Sequence, residues 1–323
     1  MILIRRRSRT VVVPLALGMI AITTACSSSG NDADTASRPY LATTSIWADI
    51  ASRTLCGAPV GPIIPLGSDP HAWEPSIRTR GDLESASLVI ANGLDLEEGL
   101  IDLLSTVERQ GTPVLYMADY VDVLDGEPDT DDDHDHDAAE DDSHEHHDGD
   151  PHIWLDPIRV ADALPAIVEA AIAAGGDEAT LTNCANDYAN ELRTLDRDIA
   201  TALANIAPAD RLLVTNHDAL GYFADRYEFT IVGTVIPSTS THAEANAADL
   251  AELAQTIDDL GIPAIFTDAQ SSNVDASALA ERLDGVAIVP LLTGTLTSGT
   301  EAGATFVALL RTNAELIADA LAP

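Results

Sequence analysis

Histidines outside the acidic part of this chain are the side chains best suited to chemistry. Four of the nine histidines stand in mixed sequence, at His71, His152, His217 and His242. His71 follows a predicted strand in the run Gly-Ser-Asp-Pro-His-Ala-Trp-Glu-Pro, and His217 ends a predicted strand in Thr-Asn-His-Asp-Ala-Leu-Gly-Tyr-Phe. His152 precedes a predicted helix in Asp-Pro-His-Ile-Trp-Leu-Asp-Pro. Ligands of open α/β sheets collect beyond the carboxyl ends of the strands, so His71 and His217 are expected to face one cleft.

Three imidazoles in such a cleft predict a zinc site, with His152 joining if its loop closes over the cleft. Zn²⁺ accepts nitrogen donors in a tetrahedral arrangement without a geometric penalty. The alternative for each histidine taken singly is a hydrogen-bonded structural role. The tripeptide Asp-Pro-His occurs twice, which weakens a chance origin. Its aspartates, Asp69 and Asp150, are expected to form turns, and a role as acceptors behind the ligands is the alternative.

The other histidines fall in an acidic segment from Glu127 to Asp150, in which thirteen of 24 residues are Asp or Glu. Such a segment cannot bury apolar surface against its own charge repulsion, so it is predicted to be a disordered loop. We expect this loop to collect zinc as an auxiliary site, and a merely solvated linker is the alternative. Its histidines are His134, His136, His144, His146 and His147.

The charge of the chain points to cations as ligands. Its 323 residues contain 53 acids against 16 basic residues, all of them arginine, for a net charge of −37. This excludes nucleic acid as a partner, because phosphate binding needs a basic face. It also disfavours anionic lipids and anionic substrates.

The first residues predict export. Arginines precede an apolar stretch from Val11 to Ile22, which together predict a signal peptide over residues 1–25. The run Thr-Thr-Ala-Cys then resembles a lipoprotein cleavage site, at which Cys26 becomes the acylated N-terminus; a plain secretory signal is the alternative. Residues 26–38 are the predicted tether. In an oxidising compartment the remaining Cys56 and Cys184 form a disulfide or stay two unrelated buried thiols.

Alternating apolar runs and amphipathic stretches predict an α/β fold with parallel-type sheets in two lobes. The N-terminal β/α lobe covers residues 39–176, a long linking helix covers 177–208, and the C-terminal β/α lobe covers 209–323. Strands are predicted at Pro62–Leu66 and Ala264–Thr267. Helices are predicted at Leu96–Gln110 and Ala302–Ala320, among others.

The three histidine motifs and the acidic histidine-rich loop, in this order, resemble the zinc- and manganese-specific solute-binding receptors of bacterial ABC importers. The likeness runs from Tyr40 to the C-terminus. It implies two β/α lobes bridged by one rigid helix, with metal bound between them by His71, His152 and His217. Members specific for manganese usually place a carboxylate where His217 stands, so histidine there favours zinc.

One position departs from the pattern of that family. Members often supply a fourth ligand, an aspartate, from a turn after the last strand, where this chain has Gly294. The fourth position then falls to water, to Asp268, or to a carboxylate near His71. For Asp268, a helix cap or a hydrogen bond within the cleft is the alternative, and His242 is expected on a surface loop.

The resemblance implies a monomeric, membrane-anchored receptor outside the cytoplasm that hands Zn²⁺ to the permease of an ABC importer and is not an enzyme. Periplasmic location without an anchor is the alternative if Cys26 is not acylated. A manganese receptor is the alternative within the class. A zinc hydrolase or hydratase and a surface adhesin or metal buffer are the alternatives outside it, since three histidines and a water also form a catalytic arrangement.

Overall fold

The computed structural model describes residues 39–125, 149–300 and 302–322. The predicted signal peptide, Cys26, the tether and the five histidines of the acidic segment lie outside the described residues. No helix within the described ranges is both long and apolar enough to cross a membrane.

The N-terminal lobe is built on a sheet of four parallel strands in the spatial order β2-β1-β3-β4. The central strand β3 is buried along its whole length. Helices cover both faces of a parallel sheet, so its central strands do not alternate between buried and exposed residues. The strands are β1 (Tyr40–Ala42), β2 (Val60–Pro62), β3 (Leu88–Ala91) and β4 (Val114–Tyr116). The helices are α1 (Ser45–Thr54), α2 (Ile77–Ser85), α3 (Ile101–Arg109) and α4 (Pro157–Ala173).

The C-terminal lobe repeats this design, with four parallel strands in the order β6-β5-β7-β8. Strand β7 is buried throughout and ends at Asp268, so its last side chain emerges at the carboxyl edge of the sheet. The strands are β5 (Leu212–Thr215), β6 (Thr230–Thr234), β7 (Ala264–Asp268) and β8 (Ala287–Leu291). The helices are α6 (Gly221–Tyr227), α7 (Ala247–Leu260), α8 (Val274–Ala280) and α9 (Phe306–Leu321).

One long helix, α5 (Glu178–Ala202), joins the lobes. Asp177 caps its start by accepting a hydrogen bond from the Thr180 amide. Its apolar face packs against α4 and α1 of the first lobe and α9 of the second. A single buried apolar cluster therefore continues from one lobe into the other through these helices, whereas each sheet has a separate small core on its outer face. The predicted two-lobe α/β fold is confirmed.

Several predicted element boundaries are wrong, each for a local reason. The helix predicted from Leu96 begins only at Ile101, because the backbone of Glu97 is not helical (φ −92°, ψ 61°) and Glu98–Leu100 form a 3-10 turn. The strand predicted at Pro62–Leu66 ends at Pro62; this strand lies at an edge of the sheet, where a proline is tolerated. The last helix begins at Phe306, where the Thr305 side chain caps it.

Cys56 and Cys184 lie at the geometry of a disulfide bond between the end of α1 and α5. Their Cα atoms are 5.4 Å apart, within the range of about 4.4–6.8 Å that is usual for a disulfide. This is the disulfide alternative for the two cysteines, and it joins the long helix to the first lobe.

Candidate metal centre

Both lobes contribute to one buried cluster of imidazoles. His71 lies in the loop after β2, and His217 follows β5 within two residues. His152 comes directly before the 3-10 turn Ile153–Leu155, which leads into α4. All three are buried, with 4% or less of each residue exposed. Among the described residues these three form the group of metal-type ligand atoms within 4.8 Å of one another.

The distances between the ring nitrogens match a tetrahedral cation. His152 Nε2 is 3.4 Å from His71 Nε2 and 3.3 Å from His217 Nε2. Zinc–nitrogen bonds of about 2.0–2.1 Å at tetrahedral angles place two ligand nitrogens about 3.3–3.4 Å apart. The three rings are also mutually tilted rather than stacked, so their Nε2 lone pairs can converge on one point.

Carboxylates hold two of the three rings from behind. Asp150 Oδ1 is 2.8 Å from His152 Nδ1, and it also accepts a hydrogen bond from the His152 amide. Asp268 Oδ2 is 2.7 Å from His217 Nδ1. Where the carboxylate is ionised it can only accept, so the Nδ1 facing it carries the proton. In the neutral imidazole Nε2 then holds the lone pair that faces the cleft.

The electrostatics of these pairs differ. Burial lowers the pKa of His152 well below its ordinary value, and the neighbouring imidazoles add to this effect. Burial also acts to lower the pKa of His217, but the Asp268 carboxylate outweighs it and raises that pKa. Burial acts to raise the pKa of Asp268, yet His217 and the hydrogen bonds from Thr293 and Asn216 hold it below its usual range. Burial raises the pKa of Asp150 to about 7.

His71 is held differently. Its amide donates to Asp69 Oδ1 at 3.1 Å, but its buried Nδ1 has no hydrogen-bond partner within the described part of the chain. The carboxylate facing that nitrogen belongs to Glu98, with Oε1 3.5 Å away. Asp69 and Asp150 thus both form the predicted turns, and Asp150 also contacts the His152 ring.

The candidate fourth ligand Asp268 is placed behind His217, not among the facing nitrogens. Its Oδ2 is bound by His217 and by Asn216 Nδ2 at 3.2 Å, and its Oδ1 accepts from Thr293 Oγ1 at 2.6 Å. A Cβ atom on Gly294 would lie 2.9 Å from both Pro70 Cδ and Gln270 Nε2. The structure therefore leaves no room for a side chain at this position.

His242 lies on the loop before α7, as expected, and outside the imidazole cluster. Its side chain is 55% exposed. Its Nε2 is 3.0 Å from the carbonyl oxygen of His71 in the opposite lobe, so it contacts a ligand residue only through the backbone.

Comparison with known protein families assigns this chain to one of them. A family model described as "ZnuA: Zinc-uptake complex component A periplasmic" matches residues 41–320. The chain belongs to the ZnuA family. The resemblance noted in the sequence is thereby confirmed, and the match covers both lobes and the linking helix.

Relatives of this ZnuA-family chain carry names for two metals. It is 29% identical to the zinc-binding protein TroA of Treponema pallidum over 78% of this chain and 76% of that one. It is 28% identical to the zinc-binding lipoprotein AdcA of Streptococcus pneumoniae over 60% of this chain. The chain spans only 38% of the length of that AdcA. It is 27% identical to the manganese-binding lipoprotein MntA of Bacillus subtilis over 60% of this chain and 58% of that one.

Solved structures show the same fold. The periplasmic zinc-binding protein TroA of Treponema pallidum superposes with a TM-score of 0.75 at 25% identity, covering 88% of this chain and 99% of that one. A manganese-bound periplasmic metal-binding protein from Candidatus Liberibacter asiaticus superposes with a TM-score of 0.74 at 20% identity over 88% of this chain and 99% of that one. At that lower identity the second likeness concerns the fold alone.

Two residues of this ZnuA-family site, Asn92 and Glu98, were not predicted from the sequence, whereas Tyr222 belongs to a motif expected to position and shield the site. Asn92 bridges Trp47 Nε1 and the carbonyl of Pro151, each at 2.8 Å, and so fixes the segment that carries His152. The Tyr222 hydroxyl donates to the Asp150 carbonyl at 2.8 Å. Asn92 directly follows β3, so the rule that located His217 also applied to it. Glu98 had no such signal, because its role depends on the opposite lobe.

Proposed function

We propose that this protein is a receptor that binds a divalent metal between its lobes, with Zn²⁺ as its cargo, and delivers it to the permease of an ABC importer. The observation that carries the proposal is the cluster of His71, His152 and His217, whose ligand nitrogens lie within 4.8 Å of one another. In this cluster His152 Nε2 is 3.4 Å and 3.3 Å from the Nε2 atoms of the other two. The name of the family and those of its zinc-binding relatives support it.

The choice of zinc over manganese rests on donor chemistry. Every donor in the facing group is an imidazole nitrogen. Manganese favours carboxylate, carbonyl and water oxygens, whereas zinc accepts a nitrogen set readily. The carboxylates nearest the site, Asp150 and Asp268, contact the Nδ1 atoms and not the point on which the Nε2 atoms converge.

Water is the proposed fourth ligand. Both oxygens of Asp268 are already bound, by His217 and Asn216 on one side and by Thr293 on the other. Glu98 approaches His71 at Nδ1, on the far side of the ring from the metal position. Asp268 and Asp150 are then positioning residues that orient the ligand rings.

Delivery and auxiliary binding belong to the same proposal. Cys26 would anchor the receptor to the membrane outside the cytoplasm, and the histidines of the acidic segment would bind further zinc weakly. The residues on either side of that segment contact each other beside the site: the Asp150 amide donates to the Leu124 carbonyl at 3.0 Å. Deleting residues 129–147 therefore leaves the site's own contacts in place.

Zinc titration of the soluble mature chain tests the proposal. Chelator competition on the chain without residues 129–147 should show one tight zinc site, with manganese a weak competitor. Alanine at His71, His152 or His217 should weaken that site steeply, whereas His242→Ala, which removes a contact with the His71 carbonyl but no ligand nitrogen, should weaken it far less. Unchanged zinc affinity in all three ligand variants would refute the site, and tighter binding of manganese would refute the choice of metal.

A further inference from the structure

The three ligand rings are not supported equally, and the difference lies at His71. His152 and His217 each have a carboxylate oxygen within 2.8 Å of Nδ1. The Nδ1 of His71 is buried and unpartnered among the described residues. A cation on Nε2 makes the Nδ1 proton a stronger donor, and a ligand histidine almost always gives that proton to an acceptor. His71 therefore needs one.

Glu98 is the carboxylate in place to serve. It begins the short 3-10 turn Glu98–Leu100 after β3, in the same lobe as His71. Its Oε1 lies 3.5 Å from His71 Nδ1, so a shift of a few tenths of an ångström would bring the pair within hydrogen-bonding distance.

The opposite lobe holds Glu98 in this place. Ser240, in the loop after β6, donates its hydroxyl to Glu98 Oε1 at 2.5 Å. The loop around His71 is tied to the same lobe: Asp69 Oδ2 accepts hydrogen bonds from Thr241 Oγ1 at 2.8 Å and Ser271 Oγ at 3.0 Å. The oxygen of Glu98 that faces the ligand ring is thus oriented only when the two lobes are together.

We infer that Glu98 is a positioning residue for His71, and that Ser240 orients its carboxylate from across the cleft. The inference rests on the proposed function, since it assigns a role to Glu98 only if His71 binds the metal. This arrangement links the contact between the lobes to metal binding by His71. If the lobes separate, Ser240 no longer orients the Glu98 carboxylate, and His71 loses its hydrogen-bond acceptor.

Zinc affinity and zinc dissociation rate, measured on the mature chain without residues 129–147, test this role. Glu98→Ala should weaken binding about tenfold, within the range for groups that orient a metal ligand. Glu98→Gln keeps an oxygen that can accept from Nδ1–H and from Ser240, so it should recover much of that loss. Ser240→Ala should speed zinc dissociation, with no further effect in the Glu98→Ala background. Glu252→Ala, which removes an exposed carboxylate on α7, is the matched control and should bind as wild type.

A double-mutant cycle with His71→Ala separates positioning from general attraction between Glu98 and the cation. Positioning predicts that Glu98→Ala has no effect once His71 is alanine. An equal effect in both backgrounds, or wild-type affinity of Glu98→Ala in a chain that His71→Ala does weaken, overturns the inference and leaves the proposed function intact. Wild-type affinity of His71→Ala itself refutes both.

Thermal unfolding of the metal-free variants should match wild type. If Glu98→Ala does not fold, the zinc affinities of Glu98→Gln and Ser240→Ala test the inference instead.

Discussion

The two sides of the imidazole cluster are built on different principles. On the paired side, His152 and His217 are each hydrogen-bonded at Nδ1 to a carboxylate of their own lobe, Asp150 or Asp268. On the His71 side, the ring faces Glu98 at 3.5 Å, and that carboxylate is held by Ser240 of the other lobe. The paired side is thus organised within each lobe, whereas the His71 side depends on contact between the lobes. A receptor that must bind tightly and still release its cargo can use both.

The largest expected effect comes from removing a ligand of the paired side. His152→Ala deletes the ring whose Nε2 lies within 3.4 Å of both other ligand nitrogens. We expect zinc affinity to fall by more than about 100-fold, because even the loss of an orienting partner costs 10–100-fold. Competition titration with a zinc chelator measures this. A smaller loss than that of His71→Ala would break the comparison, since it would make His71 the dominant ligand.

Removing a carboxylate of the paired side comes next. Asp268→Ala leaves His217 Nδ1 without its acceptor and also releases Thr293 and Asn216. We expect zinc affinity to fall about 10–100-fold, more than for Glu98→Ala. The exposed Asp225 in α6 provides the control variant Asp225→Ala, which lies in the same lobe. If Glu98→Ala lowers zinc affinity more than Asp268→Ala does, the His71 side contributes more to binding than the paired side, and the comparison is wrong.

The pH dependence of binding should also come from the paired side. Asp268 raises the pKa of His217, whereas burial lowers that of His152. Zinc requires a neutral imidazole, so the affinity is largest above the pKa of His217 and declines as the pH falls through it, beginning above the ordinary histidine value of 6.5. In Asp268→Asn the pKa of His217 drops, so the decline should begin at lower pH.

Titration calorimetry in buffers of different ionisation enthalpy measures the protons released on binding. Proton release is expected to grow as the pH falls through the pKa of His217, since His152 is already neutral there, and to be small above that pKa. An affinity that does not change between pH 8 and pH 5.5, values chosen at roughly one unit or more on either side of the ordinary pKa, would contradict this account.

The smallest expected effect concerns the support of His152 from the other lobe. The Tyr222 hydroxyl donates to the Asp150 carbonyl and accepts from the Leu124 amide at 3.1 Å. Tyr222→Phe should lower the free energy of unfolding by about 1–3 kcal/mol, because it leaves a buried carbonyl unpaired. It should change zinc affinity only a few-fold, since Asp150 still orients His152. Chemical denaturation and zinc titration of the same variant separate the two effects.

Much of this protein could be predicted from local pattern. Apolar runs separated by amphipathic stretches indicated the two β/α lobes. Polar motifs after strands indicated His71 and His217, and a motif before a helix indicated His152, because these signals are carried by neighbouring residues. Turn chemistry was equally local: Asp69 and Asp150 each bind the amide two residues on. Errors arose where the backbone departed from a regular helix, as at Glu97 and the 3-10 turn Glu98–Leu100, which stand where the start of α3 was predicted.

Only the tertiary structure decided what stands behind and between the ligands. Asp268 follows β7 and could have faced the metal or a ring; the position of His217, fifty-one residues away, puts its carboxylate on Nδ1. Gly294 is explained by Pro70 of the other lobe, and Glu98 by Ser240. Residue types and spacing along the chain determine which side chains can bind a metal. Their partners come from distant segments, so their roles depend on how the lobes pack.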